Sequence, residues 1–233
     1  MRLHRFFIDE HLRNKKDIAV YDDGIIHQWK NVFRLRTGDR IILLDNSGFE
    51  FLSEISLLAK GKAELKIIQS SQAENVVQKD IRLFPAVIKK DNLEWVLEKG
   101  TELGVSRFVP IVSDRSEKKG LNMERCKKIL REASEQSERG FIPEIEEPAT
   151  LKEAIDMAQK DGIPLIAFHG EGKAFKEGRK TGDRCGILIG PEGGWTNEEV
   201  EFFLSKDIPL YSLGKQILRA ETAAIAAASL LLL

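Results

Sequence analysis

Two patterns of hydrophobic spacing divide this chain. Up to about residue 70 the apolar runs are short, and several are separated by turn residues. Arg5–Ile8 is one such run, and Gln28–Leu35 has the spacing of one or two helical turns. Arg40–Asp45, Phe49–Leu57 and Lys62–Ile68 read as strands, with Asp45-Asn46-Ser47-Gly48 and Lys60-Gly61 as their turns. This predicts a small, mostly β, barrel-like module. The polar stretch Gln69–Lys79 reads as its linker.

From Ile81 onward strand-like and helix-like runs alternate, which predicts an α/β unit with a parallel sheet. Arg82–Ile88 is a strand. A helix follows from Asp91, whose Asp-x-x-Glu spacing to Glu94 has the form of a capping box. Leu93, Val96, Leu97 and Gly100 share one face of it, and Gly104 ends it. Arg107–Val112 is the next strand. A second helix spans about Met123–Glu138, with Cys126, Ile129, Leu130, Ala133 and Ser137 on one stripe and Glu132, Glu135, Gln136 and Arg139 on the other. Leu151–Gln159 is a third helix. Pro164–His169, Cys185–Ile189 and Ile208–Leu213 are strands. A helix capped by Thr196 and Glu199 follows Gly193-Gly194, and the last helix is Ala220–Leu233.

The 233 residues suffice for one or two domains, and 42% hydrophobic content for an ordinary core. A formal net charge of −1 announces no nucleic-acid partner, so any basic footprint must be local. Two separated cysteines, Cys126 and Cys185, form neither a disulfide framework nor a metal motif, which fits a reducing, cytoplasmic setting. No secretory signal pattern opens the sequence, and the apolar run Ala223–Leu233 is too short to span a bilayer. No metal site is expected. The P-loop, the G-x-G-x-x-G fingerprint and the G-x-S-x-G elbow are all missing.

What stands out instead is a pair of strand–glycine–helix hinges. One is Ile187-Leu188-Ile189-Gly190-Pro191-Glu192-Gly193-Gly194. The other is Leu213-Gly214 with Ile217-Leu218-Arg219-Ala220-Glu221-Thr222-Ala223. Such hinges expose backbone N–H and C=O groups beside a small ligand. Taken with Lys99–Val105, Glu132–Arg139, Arg5–Phe7, His27–Arg34 and Gly38-Asp39, they make the chain resemble the RsmE family. These are 16S ribosomal RNA (uracil-N3)-methyltransferases of the SPOUT superfamily. The match runs in order along nearly the whole chain.

The resemblance implies a PUA-like RNA-binding domain over residues 1–72 and a SPOUT methyltransferase domain with a trefoil knot over 73–233. It implies S-adenosylmethionine (SAM) as cofactor, a homodimer, and 16S rRNA within the small ribosomal subunit as partner, with no membrane. It places the cofactor among His169, Ile189, Gly190, Pro191, Gly193, Gly194, Leu213, Gly214, Ile217, Leu218, Thr222 and Ala223. Methylating uracil N3 requires removal of its proton by a base, or a cation that stabilises the resulting anion. Arg139 and Arg219 are candidate cations, Glu132, Glu135 and Glu192 candidate bases, and Gln136 a partner for a uracil carbonyl. The catalytic set expected is Arg139, Gln136, Arg219 and Glu192. For RNA, Arg5, His27, Arg34, Arg36 and Arg115 are the candidates, with Arg2, Arg40, Lys118 and Lys119 as further cations. Two other readings are a SPOUT enzyme acting on another RNA such as tRNA, and a non-catalytic ribosome-assembly protein that has kept the fold.

Overall fold

A computed structural model describes residues 3–74, 79–116, 120–175 and 182–233. Arg2, Lys118 and Lys119 lie outside the described residues. The chain forms two compact units. Residues 1–76 with 134–142 make the first, and 77–133 with 143–233 the second.

In the first unit, β1 (Arg5–Phe7), β2 (Asp17–Val20), α1 (Asp23–His27), β3 (Arg40–Leu44), β4 (Phe49–Leu58) and β5 (Ala63–Gln72) follow in order. They build a five-stranded mixed sheet in the order β1-β3-β4-β5-β2. Its core is Phe6, Trp29, Ile41, Leu43, Phe51, Ile55 and Leu65. The helix begins at Asp23, earlier than the apolar spacing suggests, because Asp22 caps it by accepting from the Ile25 N–H at 2.9 Å. It continues as a π-helical turn, Gln28–Val32. Strand β2 was not expected. It is a short edge strand paired antiparallel with β5. The expected linker is shorter too, since β5 runs on to Gln72 where Phe49–Leu52 still offer partners.

Segment 134–142 joins this unit through specific bonds. The Phe7 N–H donates to Glu135 Oε1 at 2.9 Å, Arg5 pairs with Glu138 at 3.0 Å, and the Ile142 N–H donates to Asn46 Oδ1 at 2.8 Å. The sequence reading leaves this segment with the second domain.

The second unit contains β6 (Asp80–Pro85), α2 (Lys90–Leu103), β7 (Arg107–Phe108), β8 (Ile111–Val112), α3 (Met123–Gln136), β9 (Glu144–Ile145), β10 (Ala149–Thr150), α4 (Leu151–Lys160), β11 (Leu165–Ala174), β12 (Arg184–Ile189), α5 (Asn197–Ser205), β13 (Leu210–Ser212) and α6 (Ala220–Leu232). The last three residues of α3 belong to the first unit. Its main sheet is all parallel, in the order β13-β11-β12-β6-β7-β9. Phe84, Val109, Ile111, Ile155, Leu188, Trp195 and Phe203 fill its core. Helix α6 packs on α2, β6 and β12.

Two local expectations need correction. The strand expected over 107–112 splits in two around Pro110, and β8 pairs instead with β10. The Asp91–Glu94 pair does not cap α2: its N-cap is Lys89, with no side-chain cap bond, and Glu94 accepts from Arg125 at 3.0 Å. The cap between Thr196 and Glu199 on α5 is formed in both directions. Among the described residues no helix is long and apolar enough to cross a membrane.

Candidate cofactor site

Parallel strands present their carboxyl ends to the same side, where loops are free to shape a ligand crevice. Here the loops after β12 and β13, with the middle of their neighbour β11, enclose a cavity of about 400 Å³ in the second unit. Phe168–Gly170, on β11 itself, forms one wall. Ile189–Trp195 forms the second and Ser212–Leu218 the third, with Ala220 and Ala223 of α6 behind. The volume falls within the roughly 300–1,000 Å³ of small-molecule sites.

The second wall is shaped by its glycines and by one tryptophan. Gly194 has φ +67°, and its N–H closes a turn onto the Pro191 carbonyl at 2.9 Å. A Cβ on Gly190 would sit 3.2 Å from the Trp195 ring. Trp195 is buried, and its Nε1–H donates to the Phe168 carbonyl at 3.1 Å, which ties the second wall to the first. In the third wall, Ser212 Oγ donates to the Gly214 carbonyl at 2.9 Å.

His169, Ile189, Gly190, Pro191, Gly193, Gly194, Leu213, Gly214, Ile217, Leu218 and Ala223 line this cavity together. Thr222 does not; it is exposed in the first turn of α6. Sequence reasoning missed Phe168, Gly170, Trp195, Ser212, Lys215, Gln216 and Ala220. Trp195 had a signal, a large aromatic directly after paired glycines.

The expected catalytic residues are distributed differently. Glu192 lines the cavity, and its Oε1 accepts from the Lys89 N–H at 3.4 Å. Arg219 is the N-cap of α6, with its side chain 85% exposed and 4.0 Å from Glu221. Arg139 and Gln136 belong to the first unit. Gln136 is exposed. Arg139 is buried, and that burial lowers its pKa to about 10, so it stays cationic at neutral pH. Of the other candidate bases, Glu135 accepts from the Phe7 N–H and Glu132 pairs with Lys128 at 3.8 Å.

The candidate RNA contacts also separate. Arg34 and Arg36 are exposed on the loop before β3. His27 is exposed, with Nδ1 2.9 Å from Asn31 Nδ2. Arg5 is engaged inside its own unit, 3.3 Å from Glu50 and 3.0 Å from Glu138, with its side chain 14% exposed. Arg115 lies in the second unit, where its Nη1 donates to the Gly193 carbonyl at 2.7 Å.

The cavity residues suit SAM. Cβ atoms built on Gly170 and Gly194 meet nothing within 4 Å, so both walls leave open space at the lining. Ile189, Leu213 and Leu218 offer apolar surface, and Glu192 and Lys215 one charge of each sign.

Comparison with known proteins gives the same picture. A model of the RNA methyltransferase domain matches residues 75–232, and one of the RNA methyltransferase PUA domain matches residues 30–68. The chain is 31% identical over 232 residues to ribosomal RNA small subunit methyltransferase E of Rickettsia conorii, covering 97% of this chain and 94% of that protein. It is 32% identical over 244 residues to the protein of the same name from Bacillus subtilis, covering 97% and 95%. Its fold matches the crystal structure of a ribosomal RNA small subunit methyltransferase E from Neisseria gonorrhoeae bound to S-adenosyl methionine. The TM-score is 0.90 at 27% identity, over 98% of this chain and 96% of that one. Full-length similarity and a shared fold together make this chain a member of the ribosomal RNA small subunit methyltransferase E family.

Proposed function

We propose that this protein is a SAM-dependent methyltransferase that methylates N3 of a uridine in 16S rRNA of the small ribosomal subunit. The observation that carries the reading is the glycine-walled cavity at the carboxyl ends of β12 and β13, beside the middle of β11. Ile189, Leu213 and Leu218 bind the flat apolar part of the cofactor, and backbone groups of residues 190–193 and 213–214 meet its polar edges. When bound, the cofactor supplies an electrophilic methyl group on a sulfonium.

The protein's own task is to free the N3 lone pair. The N3 proton has a pKa well above neutral, so it leaves with help from a base or a nearby cation. Glu192 is the assigned base: of Glu132, Glu135 and Glu192 it is the one that lines the cavity. Its carboxylate oxygen takes the N3 proton. Arg219 is assigned to the developing negative charge on the uracil oxygens, and Arg139 and Gln136 of the first unit to the RNA substrate.

RNA binding is assigned to the first unit, with Arg34 and Arg36 on phosphates and His27 as a further contact. Three further features are part of the reading. The second unit carries a trefoil knot, a feature that rests on the resemblance to the family. The protein is a homodimer, a reading that rests on the resemblance to the family. It works in the cytoplasm, where its RNA is made.

Calorimetry with SAM and mass mapping of 16S rRNA from a strain lacking the gene test the proposal. The expected result is saturable SAM binding and the loss of one methyluridine. SAM binding with an unchanged methylation map, or loss of a tRNA methyl group instead, overturns the assigned substrate. Arg139→Ala is expected to lower methyl transfer at least tenfold more than SAM affinity; equal losses remove it from the substrate side.

A further inference from the structure

We infer that Arg115 is a positioning residue for the cofactor cavity: its guanidinium holds the Gly193 carbonyl and keeps the 190–195 wall in shape. The inference rests on the cofactor reading above and adds a residue to it.

Strand β8 ends in a turn in which the Ser116 N–H donates to the Ser113 carbonyl at 3.0 Å. This turn is tied to the segment between the cavity wall and α5 at three points. Arg115 Nη1 donates to the Gly193 carbonyl at 2.7 Å and lies 3.5 Å from the Trp195 carbonyl. The Asp114 N–H donates to Glu199 Oε1 at 3.1 Å. Thr196 Oγ lies 3.5 Å from Asp114 Oδ2. Glu199 is buried, and its other oxygen accepts from the Thr196 N–H at 2.8 Å.

The Gly193 carbonyl precedes α5, so no intrahelical N–H is available to it. A charged donor meets that need with a stronger bond than a neutral one. Both contacts come from the one nitrogen Nη1, on carbonyls two residues apart in the chain. The Arg115 stem also lies along the wall. A Cβ built on Gly193 would be 3.3 Å from Arg115 Cδ. Trp195 fixes the far side of the same wall through its bond to Phe168, so the wall is held from both flanks. Arg115 thus has a different job from the phosphate contact expected of an exposed arginine.

The test compares wild type with Arg115→Ala and Arg115→Lys. Hydrogen exchange of the peptide spanning 190–196 is followed without any ligand, and SAM binding is followed by calorimetry. Arg115→Ala is expected to speed exchange in that peptide and to weaken SAM about tenfold, with kcat at saturating SAM changed less than threefold. Arg115→Lys is expected to fall between the two. Unchanged exchange in Arg115→Ala overturns the inference, as does unchanged SAM affinity with weaker RNA binding, which makes Arg115 a phosphate contact. Should wild type itself fail to bind SAM, the cofactor reading falls, and the exchange comparison still decides the role of Arg115.

Discussion

Gly194 offers a sharp test of the cavity because its backbone and its surroundings make separate demands. Its φ is +67°, yet a Cβ there would meet no heavy atom within 4 Å. Gly194→Ala therefore adds no clash, and its whole effect comes from the backbone. Holding an L-residue in the left-handed region costs roughly 1–2 kcal/mol. That lowers the ratio of native to relaxed loop about 5–30-fold, and the apparent Kd for SAM rises by up to that factor. Relief of the strain breaks the bond from the Gly194 N–H to the Pro191 carbonyl and moves the wall. Gly194→Val exceeds that factor, because a branched side chain tolerates positive φ less well. Gly162 supplies the control. It follows α4 with φ +65° and equally open space, but it does not line the cavity. Gly162→Ala is expected to lose similar stability and keep full SAM affinity. Calorimetry with SAM and thermal melting of the three variants read both quantities. If Gly194→Ala and Gly194→Val bind SAM as tightly as wild type, the wall at 190–194 is not the cofactor site.

Two further predictions concern stability. A Cβ on Gly100 would lie 2.9 Å from the Phe108 ring, so Gly100→Ala is expected to destabilise by about 1–3 kcal/mol from overpacking. This loss would exceed the roughly 1 kcal/mol gained in helix propensity, and urea denaturation would show it as a lower midpoint. At the other end of the sheet, burial pulls the Asp80 carboxyl upward, but bonds from Arg82 and Ser106 outweigh it and the net shift is downward. Asp161 is also lowered, by its bond to Arg82. A carboxylate with a depressed folded pKa stabilises above its unfolded value, about 3.9, and loses that contribution as pH falls through the folded one. The melting temperature is expected to drop below about pH 4. Asp80→Asn should lower it at neutral pH and flatten the acid limb; an unchanged acid limb would show that the cluster contributes nothing.

Much of the fold was legible because most of its elements satisfy local rules. The apolar runs at 40–45, 49–57 and 185–189 became β3, β4 and β12 within a few residues, and the cap between Thr196 and Glu199 formed. What escaped notice depends on distant partners. Asp17–Val20 is a strand because β5 is there to pair with it. Glu94 turns from the α2 N-terminus to Arg125, a residue 31 positions away. Segment 134–142 leaves its neighbours in sequence because Phe7, Arg5 and Asn46 offer it partners. No periodicity within that segment encodes those contacts.

The site divides along the same line. Its walls were legible because their turns take positive φ at Gly194 and Gly214, which favours glycine, and glycine leaves a mark in the sequence. Its charged residues were not, because the same arginine serves a phosphate, a carboxylate or a carbonyl with the same fork. Counting arginines treats Arg5, Arg34, Arg36 and Arg115 alike. The fold commits Arg5 to Glu50 and Glu138 and Arg115 to Gly193, and leaves Arg34 and Arg36 exposed. A net charge of −1 hides this sorting, since each internal pair cancels in the sum whether or not a free cation remains beside it. The charge available to RNA is thus a property of the folded partners of each arginine, and it becomes readable only once those partners are known.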